Sequence, residues 1–101
     1  MTDRIEGYWR ASYAPELPMP TPDVEWPERD EFLAKLTMVE RLAREFHTKG
    51  WSNCRVCGDM NGSVEYALDG WRWPEGLVHY LSDHGVRPTP DFERFVLGKE
   101  I

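Results

Sequence analysis

Cysteine is scarce in this chain: there are two, Cys54 and Cys57, with two residues between them. So short a loop makes a poor disulfide staple, and so few thiols exclude a disulfide-built scaffold. Basic residues are also the minority, twelve against eighteen acids, for a formal net charge of −6. The electrostatic footprint of a strongly basic nucleic-acid binder is therefore missing. No apolar run approaches the ~20 residues of a membrane span. The opening Met-Thr-Asp-Arg-Ile-Glu lacks the basic and apolar regions of a secretory signal. The expectation is a cytoplasmic protein without membrane association. No internal repeat or low-complexity tract occurs.

What is present is aromatic. Five tryptophans stand among 101 residues, and each offers about 150–250 Å² of surface to bury. The length suits a single domain, residues 1–101, that buries roughly 60–65% of its unfolded surface around one modest core.

Residues 1–26 read as an arm. Ile5 to Tyr13 is aromatic-rich, and Pro15, Pro18, Pro20 and Pro22 then forbid a helix or a central strand. Disordered segments are usually poor in aromatics, so the arm is expected to lie extended across the body through Tyr8, Trp9 and Trp26. Residues 27–50 carry the strongest helical signal. Pro27 suits a first helical position, Glu28, Asp30 and Glu31 suit the positive end of the dipole, and Phe32, Leu36, Val39, Leu42 or Ala43, and Phe46 form one apolar face. Gly50 is the natural stop, so the helix is expected over 27–49. In 51–88, Asn61-Gly62 signals a tight hairpin, Ser63–Ala67 alternates as a strand does, and Gly70–Trp73 suits a second strand. Trp71 and Trp73 are expected in the core. Pro74 then opens a helix bearing Leu77 to His84, closed by Gly85. In 89–101, Thr89-Pro90-Asp91 reads as cap, helix start and first-turn acid of a short helix with Phe92, Phe95 and Val96 on its apolar face.

The chemistry lies in one constellation: Cys54-x2-Cys57, then 21 residues, then His79-x4-His84. Two thiolates and two imidazoles satisfy tetrahedral zinc, and Gly58 can take the left-handed conformation that a cysteine turn requires. This layout resembles the two-cysteine, two-histidine zinc-finger family, in which a cysteine turn on a hairpin faces a histidine-bearing helix. The resemblance covers residues 51 to about 88 and implies Cys54, Cys57, His79 and His84 as metal ligands. The connector is longer than the ~12 residues usual in DNA-reading fingers. Glu75 and Asp83 also stand where a reading helix would be basic, so the resemblance implies the metal and not DNA recognition. The segment Trp73–Leu81 is similar, in addition, to a stretch of small uncharacterised bacterial proteins, which implies no function.

On an ideal helix His79 and His84 lie about 140° apart. Both ligate only if the helix loosens before Gly85. His47 is the reserve ligand, otherwise a helix C-terminal cap, and Asp59 and Asp83 are weaker reserves. A redox dithiol is the alternative for the cysteines, although the strand–helix context of a thioredoxin-like site is absent. A catalytic zinc would keep a position open for water, with Glu65, Asp59 or Asp83 as base. Neither His-Glu-x-x-His nor the deaminase His-x-Glu pattern occurs.

The sequence thus predicts an α+β fold: a long amphipathic helix on a zinc-bound β-hairpin–helix unit, wrapped by an aromatic arm. One structural Zn2+ per chain is expected, and two thiolates cancel its charge, leaving −6. The expected role is a non-catalytic interaction or adaptor module that takes a protein partner through the arm or adjacent apolar surface. The rivals are a small zinc hydrolase and a weak nucleic-acid binder using Arg55, Arg72 and Arg87. Residues 49–101 carry six basic and eight acidic side chains, which argues against nucleic acid.

Overall fold

The computed structural model describes residues 4–10 and 15–100, without the side chains of residues 48–52. Their order is β1 (Arg4–Ile5), α1 (Arg29–Leu42), β2 (Arg44–Asn53), β3 (Met60–Leu68), β4 (Trp71–Pro74), α2 (Leu77–Asp83) and α3 (Pro90–Gly98). The strands make one mixed sheet in the order β1-β4-β3-β2, antiparallel except for the β1–β4 pair. The fold is α+β.

Period-two alternation organises the core. Trp71 and Trp73 on β4 are buried, while the intervening Arg72 turns to the other face. Tyr66 and Leu68 of β3 stand opposite Trp73 and Trp71 and pack on the same side. Phe32, Leu36 and Val39 of α1, Leu77 and Leu81 of α2, and Phe92 and Val96 of α3 close over them. Trp73 is fully buried, with its ring centroid 5.4 Å from Phe92 and 5.8 Å from Tyr66. Thr89 caps α3 by accepting the Phe92 N–H, ahead of Pro90.

The long helix is shorter than the sequence predicts. It ends at Leu42, Ala43 is extended, and residues 44–50 belong to β2. The reason is tertiary pairing. Phe46 continues the helical spacing and Arg44-Glu45-Phe46-His47 shows no apolar alternation of its own, but β3 supplies partners from Arg44↔Ala67 to His47↔Val64. Phe46 therefore lies on the sheet, Leu42 is exposed, and His47 caps no helix. The hairpin expected at Asn61-Gly62 is likewise displaced. Both residues sit within β3, and the β3–β4 turn falls at Asp69-Gly70, whose φ values of 50° and 84° fit the primed turn that matches strand twist. Glycine is required at 62 on two counts: its φ is 104°, and a Cβ there would overlap the Glu75 carboxylate, which accepts the Ser63 and Val64 N–H groups at 2.6 and 3.0 Å. Pro74 ends β4 instead of opening a helix.

The described part of the arm runs along the domain. Arg4 and Ile5 pair with Trp71 and Arg72. Buried Glu6 accepts the Thr89 N–H and hydroxyl, both at 2.8 Å, tying the arm to the start of α3. Tyr8 donates to Glu65, Trp9 meets Tyr80 edge-on at 5.6 Å, and Trp26 joins the main core against Phe32 at 5.2 Å. Tyr13 lies outside the described residues.

One core contact carries a pH dependence. The Trp73 indole N–H donates to Glu40 at 3.0 Å, and burial, helped by the Glu75 charge, raises the Glu40 carboxyl to about 7 against the pull of that hydrogen bond. A carboxyl raised on folding takes up a proton, so stability falls as pH climbs from about 4.5 to 7 and stays lower above. Glu40→Gln keeps an acceptor for Trp73 and removes the charge. It is expected to flatten that fall and to raise stability at pH 8 by about 1–2 kcal/mol, the linkage value being reduced because the group is partly exposed. Thermal midpoints at pH 5 and pH 8 check this.

Candidate metal centre

The turn joining β2 to β3 is made by the cysteines. The Cys54 N–H donates to Asp59 C=O at 2.7 Å and the Gly58 N–H to Cys54 C=O at 2.9 Å. Gly58 has φ of 81°, a left-handed conformation that only glycine adopts cheaply, and nothing crowds its Cβ position. The Val56 and Cys57 N–H groups point at Cys54 Sγ from 3.4 and 3.5 Å. Burial opposes ionisation of Cys54, but those N–H groups, with Cys57 and His79 beyond them, outweigh it and lower its pKa to about 6. At Cys57 the Asp59 N–H favours the thiolate, but desolvation and the negative groups at Cys54 and Asp59 prevail and raise its pKa.

Helix α2 brings the imidazoles. His79 lies in its first turn, whereas His84 is the C-cap residue with φ of −117°, already outside regular helix. Gly85 then takes φ of 65°, and the Val86 N–H returns to Tyr80 C=O at 3.1 Å. The 140° obstacle of an ideal helix disappears because His84 is not on one. One ligand atom from each of Cys54, Cys57, His79 and His84 lies within 4.8 Å of the others, close enough to hold a metal ion. Cys57 Sγ is 3.4 Å from His79 Nε2, which is 3.2 Å from His84 Nε2. His79 Nδ1 lies 3.2 Å from the Asp83 carboxylate, so this nitrogen holds the proton and Nε2 turns its lone pair to the cluster.

The reserve ligands stand elsewhere. His47 is exposed on β2, Asp59 serves the turn through its carbonyl, and Asp83 orients His79 without entering the cluster. The i,i+4 spacing of His79 and Asp83 is the signal by which that supporting role could have been read. Beneath the cluster, Cys54, Tyr80 and Val86 form a second small core covered by Trp9, and Tyr80 Oη accepts the Arg55 N–H at 2.7 Å. No sequence pattern indicated that Tyr80 ties helix to turn.

The three arginines of a nucleic-acid patch are each engaged within the domain. Arg55 donates to Arg10 C=O at 2.8 Å, Arg72 pairs with Glu65 at 3.4 Å, and Arg87 pairs with Glu93 at 3.2 Å. Among the described residues, no helix is long and apolar enough to cross a membrane. Comparison with protein-family models, curated proteins and solved structures finds no match for the chain.

The two candidate ligand histidines are expected to separate from the reserve one. His79→Ala should weaken metal binding by more than the roughly 10–100-fold that loss of a mere supporting partner costs, while His47→Ala leaves it unchanged. Competition titration against a chromogenic zinc chelator measures both.

Proposed function

We propose that Cys54, Cys57, His79 and His84 hold one structural zinc ion, and that the domain is a non-catalytic, cytoplasmic interaction module. The observation that supports the zinc reading is the geometry of the donor set. Tetrahedral zinc, with bonds of about 2.3 Å to sulfur and about 2.0–2.1 Å to nitrogen, spaces two nitrogens about 3.3 Å apart and sulfur and nitrogen about 3.6 Å apart. The nitrogens stand 3.2 Å apart, and Cys57 Sγ stands 3.4 Å from His79 Nε2. Four protein donors fill a tetrahedron, leaving no position for the water that zinc hydrolysis needs. The ion supplies a cross-link between the β2–β3 turn and α2; the chain's own residues orient it, Asp83 through His79 and the turn N–H groups through Cys54.

A protein partner would dock on exposed apolar side chains of the arm, Met19 and Val24, or beside the cysteine turn, Val56 and Met60. Elemental analysis of protein purified without chelator is expected to give one zinc per chain. The cobalt-substituted protein should show a tetrahedral, thiolate-bearing spectrum that added azide does not perturb. Substoichiometric metal would refute the zinc reading, and an azide-sensitive spectrum would refute the closed site.

A further inference from the structure

We infer that Cys57 is an oxidation site that takes hydrogen peroxide, and that Cys54 resolves it to a disulfide that expels the ion, a step that rests on the zinc reading above. The two sulfurs sit in opposite surroundings. Cys54 is 3% exposed, walled in by Tyr80, Val86 and Trp9, while Cys57 is exposed at the tip of the same turn. An oxidant from solvent meets Cys57 first. The second thiol is already at hand, since both Sγ atoms belong to the cluster spanning at most 4.8 Å. Closing that gap to a disulfide bond moves only the short turn, and the open space around Gly58 leaves it room.

The chemistry balances with one peroxide. In the zinc-loaded chain both ligating thiols are deprotonated, and the Cys57 thiolate attacks a peroxide oxygen, the O–O bond breaks, hydroxide leaves, and Cys57 becomes a sulfenic acid. The Cys54 thiolate then attacks the Cys57 sulfur, the S–O bond breaks, and a second hydroxide departs as the disulfide forms. The two sulfurs together lose two electrons, and peroxide becomes two waters once solvent protonates the hydroxides. Two of four zinc donors are then gone, and two imidazoles hold the ion far more weakly. The β2–β3 turn then loses its metal link to α2, beside Tyr80, which Trp9 of the arm covers.

The test uses the full zinc-loaded chain and one to two equivalents of hydrogen peroxide. Expected are one zinc released per disulfide formed, read by a chromogenic chelator and by the loss of two hydrogens in intact mass, with reversal by dithiothreitol and added zinc. Dimedone present during oxidation should label Cys57 and not Cys54 in the wild-type chain, so no destabilised variant is needed. The exposed Met19, Met38 and Met60 gauge selectivity, and zinc release should precede their conversion to sulfoxides. Zinc retained while those methionines oxidise, or a dimedone adduct on Cys54, overturns the oxidation site and leaves the zinc reading standing. A chain that carries no zinc when purified overturns both.

Discussion

Removing zinc from the folded chain is expected to lower its thermal midpoint by about 15–30 °C. The estimate follows from linkage: zinc held at a thousandfold above its dissociation constant contributes about 4 kcal/mol, and each kcal/mol moves the midpoint of a domain this size by about 4–8 °C. The structure explains why the effect is so large. Among the described residues, the main core contains ten buried residues from β4, the three helices and Trp26, whereas the apolar cluster beneath the candidate metal centre contains Cys54, Tyr80 and Val86, covered by Trp9. Between the cysteine turn and α2 the protein itself offers the Tyr80–Arg55 hydrogen bond and the packing of Cys54 on Tyr80, so a bound ion would supply a large share of the link. Circular dichroism melts in chelator, and after zinc is restored, measure the effect. Cys57→Ser should reproduce the chelated state and resist rescue by zinc. A midpoint indifferent to chelator would show that the four side chains cluster for reasons other than metal.

Deleting residues 1–26 is expected to be of similar severity, with at least about 3–5 kcal/mol lost. That figure is the usual cost of truncating a buried tryptophan, and Trp26 is 6% exposed against Phe32. The deletion further strips β1 from the edge of β4, the Glu6 carboxylate from the start of α3, and Trp9 from Tyr80. Trp9→Ala separates the contributions: it should cost less than the deletion and act mainly on the half that carries the Cys/His cluster. Thermal unfolding with zinc saturating is the measurement. An unchanged midpoint for the truncated chain would make the arm a recognition element free of its own domain.

Several local features were legible in the sequence because local chemistry alone determines them. Thr89-Pro90-Asp91 starts α3 because a hydroxyl cap, a fixed φ and a first-turn acid act within one turn. Phe32, Leu36 and Val39 face the core because nothing competes with their spacing. The Cys54–Gly58 turn was readable from two thiols and one glycine, and the alternation of Trp71 and Trp73 placed both in the core. With them, the α+β class and the four side chains that cluster followed from residue types and intervals.

Tertiary structure decided what local patterns left ambiguous. The helical spacing of α1 runs on to Phe46, and the backbone partners offered by β3 made Arg44–His47 a strand, which took Phe46 and His47 away from α1. Asn61-Gly62 carries a turn signal as strong as Asp69-Gly70, but Glu75, coming from beyond β4, occupies the space beside Gly62 and binds the Ser63 and Val64 N–H groups, and the pair lies at an irregularity within β3. His79 and His84 converge because His84 falls past the end of α2, where Gly85 and the Val86–Tyr80 bond redirect the chain. Each of these outcomes depends on a group distant in sequence, and pairing energy between such groups exists only once the chain has brought them together.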